Sequence, residues 1–188
     1  VYWLPRTVEA TKIGSAVSAN GSNEELLKVG AVRDQMRDIL RGFQTIAVRD
    51  QFTYDLVDGL NVGKGNLYQV PDPTFAIDID CEVKDKLIEC GVNFNLKRIA
   101  LIMSSDVEEF SWAAKELRKF ADRNKIQLVG VGLCSKYSHV ELLGKLDPFE
   151  YASAHKYFDF CISDRFHSTI FSMKALTPFL ALEVSRKY

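Results

Sequence analysis

Apolar residues along this chain fall into short unbroken runs that alternate with longer stretches of helical period. Runs over residues 13–19, 45–48, 67–70, 98–103, 126–133, 158–162 and 178–184 have strand length. Between them the apolar positions return every three or four residues, as Leu26, Leu27, Val32, Met36, Ile39 and Leu40 do in a stretch that opens at Asn23. This spacing predicts helices over 23–40, 53–60, 83–90, 107–123, 147–157 and 166–176. Ile99-Ala100-Leu101-Ile102-Met103 has no polar face, so both sides of its strand must be buried. That is the condition of a parallel strand between two helix layers. Strand–helix units repeated with short links predict the α/β class, with Rossmann-like, doubly wound parallel sheets.

The pattern restarts after Pro71-Asp72-Pro73 and the charged stretch 78–86. A boundary there leaves a partial N-terminal Rossmann-like domain over 1–75 and a C-terminal one over 76–188, the second with four strands of its own. The expected architecture is two such domains facing a cleft, the first truncated. The chain opens on Val1 and stops at Arg186-Lys187-Tyr188, and is expected to be a segment of a longer protein.

Of the 188 residues 47% are hydrophobic and 26% charged, which selects a globular protein over a disordered one. With 24 Lys+Arg against 25 Asp+Glu the net charge is -1, and no dense basic run gives a nucleic-acid footprint. No apolar run approaches the ~20 residues that span a bilayer, and these residues show no signal-peptide pattern, so a cytoplasmic location is expected. Cys81, Cys90, Cys134 and Cys161 form no C-x-x-C pair and have no ligand-like spacing to His139, His155 and His167. They read as buried free thiols of a reducing compartment.

In doubly wound folds ligands bind beyond the carboxyl ends of the strands, where helix N-termini point. The richest such segment is Ile162-Ser163-Asp164-Arg165-Phe166-His167-Ser168-Thr169. Ser163 or Asp164 can cap the next helix, and Arg165, His167 and Ser168 fall in its first turn. A cation at a helix start opposes the helix dipole, which makes sense if an anion sits there. Arg165 offers a fork for carboxylate or phosphate, and His167 can bind phosphate or move a proton. The same sequence also suits an ordinary helix start with surface charge.

A second strand end, Val48-Arg49-Asp50, again places an arginine before a helix; a plain surface pair with a capping Asp50 explains it equally well. Asp72, fixed between two prolines, could orient a sugar hydroxyl or simply shape a hinge turn. Other signals are weaker. Asp78-Ile79-Asp80 resembles a metal motif but sits in a charged linker, and Gly63-Lys64-Gly65 is too short for a phosphate loop. His155 suits packing, His139 follows a polar loop at 135–138 that could serve as a lid, and Ser168 lacks a hydrolase elbow.

The run 162–170 followed by Leu176-Thr177-Pro178-Phe179 resembles the signature of the polysaccharide pyruvyl transferase family. Val48-Arg49-Asp50 and Asp72-Pro73-Thr74-Phe75 are similar to two further marks of that family, in the same order, so the resemblance runs from about residue 13 to 187. The family's glycine-rich opening segment, which helps shape the acceptor side, has no counterpart here. The resemblance implies two Rossmann-like domains of glycosyltransferase-B-like architecture. It also implies phosphoenolpyruvate as donor and co-substrate, and a pyruvate ketal on a hexose of a polysaccharide or its lipid-linked precursor as product.

On this resemblance Arg49, Arg165 and His167 bind the donor, with Arg165 and His167 as the catalytic pair; Ser168, from its place in the helix's first turn, and Asp72, from the proline turn, are expected as further substrate contacts. His167 is either the general acid or a phosphate ligand. The scheme needs no metal and no cofactor. The implied partners are phosphoenolpyruvate and a saccharide acceptor; an acceptor carried on a lipid would bring the protein to a membrane surface. A nucleotide-sugar glycosyltransferase of the same architecture, or a non-catalytic saccharide-binding relative, are the competing readings.

Overall fold

A computed structural model of the chain describes residues 7–19, 28–63, 65–103, 108–131 and 136–182. The chain separates into two compact units, Val1–Pro73 and Thr74–Tyr188. Both are α/β with parallel sheets of Rossmann-like type.

In the first unit β1 (Ile13–Val17), α1 (Gly30–Leu40), β2 (Thr45–Val48), α2 (Gln51–Asp58) and β3 (Leu67–Gln69) follow one another. The three strands pair in the order β1-β2-β3, all parallel, with Val48 opposite Gln69. Alternation in β2 sends Ile46 and Val48 to one face. There they pack with Leu40 of α1 and Val57 of α2. Residues 20–27, where the first helix is expected to open, lie outside the described residues.

The second unit contains α3 (Lys84–Glu89), β4 (Lys97–Ile102), α4 (Glu108–Asn124), β5 (Ile126–Gly130) and β6 (Val140–Glu141). After these come α5 (Pro148–Ala154), β7 (Phe160–Ser163), α6 (Phe166–Lys174) and β8 (Phe179–Ala181), with a 3-10 turn His155–Tyr157 extending α5. The sheet order is β6-β5-β4-β7-β8, entirely parallel. Successive residues of β4 go to opposite layers. Ala100 and Ile102 join Val83, Leu87, Ala154 and Phe158, while Leu101 and Met103 join Ala114 and Leu117 of α4. Burial on both faces is what the unbroken apolar run required. Each fully buried aliphatic side chain of this kind contributes roughly 1.5–3 kcal/mol.

The second unit therefore has five strands among its described residues, one more than the sequence pattern predicts. The extra one, β6, is two residues long, too short for any alternation to register. It is set in place by His139, whose N–H donates to the Leu128 carbonyl (2.8 Å) while its Nδ1 accepts from the Leu128 N–H (2.8 Å). His139 Nε2 lies 2.7 Å from Asp122 Oδ1 in α4. His139 thus pins a strand edge. Of the supposed lid at 135–138, residue 135 lies outside the described residues, and the Ser138 carbonyl accepts from Arg118 Nη1 (2.9 Å). The strand expected over 126–133 ends at Gly130, and residues 132–135, with Cys134, lie outside the described residues. Cys161 is buried, its thiol pushed up to about 11 by that burial, but Cys81 and Cys90 are only half-buried, against expectation.

Candidate functional site

Reading the second unit's strands in chain order, the sheet runs 3-2-1-4-5. The chain leaves β4 toward β5 and β6, then crosses back to lay β7 on the other side of β4. Such a reversal opens a crevice at the carboxyl ends of the two central strands, where open α/β sheets bind ligands. β4 and β7 end level, with Ile102 opposite Ser163. The Asp164 N–H still reaches the Ile102 carbonyl (3.3 Å), and there the ladder stops.

The turn that follows is built by Ser163. Its buried Oγ accepts the Arg165 N–H (2.9 Å) and leads the chain into α6. Arg165 is itself the N-cap, with extended backbone (φ -100, ψ 122), and no side chain caps the helix. This corrects the expectation that Ser163 or Asp164 would cap: Ser163 spends its oxygen one residue earlier, on the turn. The Arg165 carbonyl accepts from the Thr169 N–H and Oγ1, both at 3.2 Å. An arginine cannot accept a proton from the first-turn amides, so the positive end of the helix is met by further positive charge. An anion there gains from both.

Arg165, Phe166 and His167 are exposed, and the Phe166 ring tilts against the His167 ring at 5.7 Å. Ser168 points the other way. It is fully buried, and its Oγ is hydrogen-bonded to Tyr151 Oη of α5. The structure therefore keeps Arg165 and His167 on one exposed turn and turns Ser168 into the interior beneath them.

Arg49 and Asp72 belong to the first unit. Because β2 and β3 are parallel neighbours, the residues just beyond their carboxyl ends meet. Arg49 Nη1 forms an ion pair with Oδ2 of the buried Asp72 carboxylate. Asp50 caps α2 through Oδ1, which accepts from the Thr53 N–H and Oγ1, both at 2.7 Å. Burial raises the Asp50 carboxyl, but the Thr53 bonds and the neighbouring Arg49 charge outweigh it and hold it below its ordinary value of 3.8. The cap by Asp50 is the one the surface-pair reading expected; the salt bridge of Arg49 runs to Asp72, an arrangement visible only once the strand order is known.

His155 is a core residue. It is wholly buried, its Nδ1 donates to the Tyr151 carbonyl (3.0 Å), and no partner meets its Nε2. Burial pushes its pKa down to about 4, against the lifting effect of the Tyr151 and Ala152 carbonyls. Asp78 and Asp80 are exposed, and no group of three or more His, Cys, Asp or Glu among the described residues could hold a metal ion. No described helix is long and apolar enough to cross a membrane. Tyr151 is the residue near this turn that sequence reasoning passed over. Its only signal was its place four residues before His155, which reads as packing.

The second unit is a doubly wound α/β unit with an arginine and a histidine on the exposed turn at its switch point, where folds of this class bind ligands. The chain belongs to the polysaccharide pyruvyl transferase family, whose model matches residues 23–186. No curated protein matches the chain closely enough to serve as a named relative.

Proposed function

We propose that this protein transfers pyruvate from phosphoenolpyruvate to a hexose of a polysaccharide or its lipid-linked precursor, forming a pyruvate ketal. Membership of the family supports pyruvyl transfer to a saccharide. The observation that carries the donor reading is the exposed Arg165–His167 pair at an uncapped helix start on the switch point of the sheet. A small donor with one phosphate and one carboxylate suits a guanidinium fork, an imidazole and the positive end of a helix. In this reading the two units are the two Rossmann-like domains of a glycosyltransferase-B-like plan. The donor is a metabolite of the cytoplasm, so the reaction belongs there.

The chemistry needs a proton on C3 of the enol, which leaves an oxocarbenium-like C2. One sugar hydroxyl adds to C2 and gives up its proton. Phosphate then departs with the C2–O electron pair, and a second hydroxyl closes the ketal and loses its proton in turn. Arg165 holds the anionic groups and stabilises charge on the leaving phosphate. His167 is the general acid for C3, and Arg49, held by Asp72, contributes a second guanidinium to donor binding. Buried Ser168 acts on the donor through the turn it anchors, and direct contact is not assigned to it.

Calorimetric titration tests the donor. Phosphoenolpyruvate is expected to bind and a nucleotide sugar is not; the reverse result would favour glycosyl transfer, to which an arginine at a helix start is also suited. Mass spectrometry of products from an acceptor panel should then show a pyruvate ketal and free phosphate. Donor binding without any product across the panel would favour a non-catalytic relative.

A further inference from the structure

Ser168 is the third residue of α6, next to His167 and three beyond Arg165. Its hydroxyl meets Tyr151 Oη in the interior. Tyr151 is itself fixed from several sides. Its carbonyl accepts from His155 Nδ1 (3.0 Å), and its ring stands edge-on to His155 (5.2 Å, 87°) and to Phe171 of α6 (6.0 Å, 83°). The His155 carbonyl accepts from Thr177 Oγ1 (2.7 Å), just past the end of α6. A buried chain of hydrogen bonds therefore runs under α6 from Thr177 through His155 and Tyr151 to Ser168, holding both ends of the helix. Arg165 gives the helix no side-chain cap, and the interior bond at Ser168 instead ties its first turn to α5. The Tyr151 hydroxyl also lies near enough to Arg165 and Asp164 to feel both charges, and burial keeps it protonated.

We propose that Tyr151 is a positioning residue of the donor site, its hydroxyl fixing Ser168 and with it the turn that aims Arg165 and His167 at the donor. This rests on the reading of that turn as the phosphoenolpyruvate site. The test is calorimetry with phosphoenolpyruvate and thermal melting of the wild type, Tyr151→Phe, Ser168→Ala and the double variant. Tyr151→Phe keeps the ring and removes only the hydroxyl, and is expected to weaken donor binding about fivefold or more, the worth of one such hydrogen bond. Ser168→Ala breaks the same bond from the other side, so the same loss is expected even if the tyrosine variant folds poorly. Removing both hydroxyls leaves neither partner of this bond buried and unsatisfied, so the double variant should regain melting temperature while its donor affinity stays low.

Affinity that is unchanged in the single variants, or that recovers with melting temperature in the double, would reduce Tyr151 to a packing residue and overturn the proposal. If the wild type itself fails to bind phosphoenolpyruvate, the donor reading falls and this proposal with it. That outcome is told apart by the wild-type titration alone.

Discussion

Arg165 and His167 put two different kinds of nitrogen donor on one exposed turn. The guanidinium is charged at any working pH and can only hold; the imidazole can also give a proton. His167→Ala is expected to lower turnover by about 10²-fold or more if the ring is the acid, with donor affinity far less affected. A loss confined to donor affinity would make His167 a phosphate ligand, and unaltered kinetics would remove it from the reaction. Asp72 presents a different case, a buried carboxylate whose ion pair keeps Arg49 in place. Asp72→Asn keeps the shape and removes the charge, and should destabilise the chain by about 1–3 kcal/mol in urea unfolding. It should also weaken phosphoenolpyruvate binding through a loosened Arg49; unaltered affinity would confine Asp72 to a structural role. At this scale the sequence displays residue types at strand ends, which is why Arg49, Arg165 and His167 stand out. It does not display partners. Arg49 finds Asp72 across a strand pairing, and Ser168 turns inward to Tyr151 because of where α5 packs, and neither is a local property.

At the scale of elements, the strands were readable where burial leaves an apolar run, as in β2 and β4, and unreadable where pairing rests on a side chain, as in β6 with its His139 pin. Helix starts depend on single oxygens, and one residue's difference in which atom Ser163 satisfies moved the cap of α6 to Arg165. α5 has the opposite kind of start. Asp147 accepts from the Phe149 and Glu150 N–H groups at 2.8 Å, Glu150 returns to the Asp147 N–H, and Pro148 presets the first turn. This is a seven-residue helix, too short to persist on propensity, and it carries Tyr151 at its centre. Asp147→Ala should cost about 1 kcal/mol, read as a shift in the urea midpoint at constant slope. Because α5 braces α6 through Tyr151, the same variant should weaken donor binding modestly. No shift in midpoint would mean that packing alone fixes the helix.

For the whole molecule the telling group is His155, since its burial couples folding to pH. In the folded chain its pKa is about 4, against an ordinary value of 6.5. Above pH 6.5 both folded and unfolded forms hold it neutral, and its contribution is complete. Between pH 6.5 and 4 the unfolded chain takes up a proton that the folded core refuses, so acid favours unfolding. The slope approaches about 1.4 kcal/mol per pH unit and the total reaches about 3 kcal/mol, levelling off below pH 4. Carboxyls held low in the fold, Asp50, Asp122 and Asp159 from an ordinary value of 3.8 and Glu82 and Glu150 from 4.5, add their own acid sensitivity only near and below those values. The window from about 6.5 to 4.5 is therefore where His155 should be visible. Denaturant unfolding across that range should show the wild type losing stability as pH falls. His155→Asn, whatever its absolute stability, should lose that part of the slope. A variant as acid-sensitive as the wild type in this window would mean that the imidazole is protonated inside the fold. The bare Nε2 would then need an acceptor, and the neutral core joining α5 to α6 would have to be redrawn.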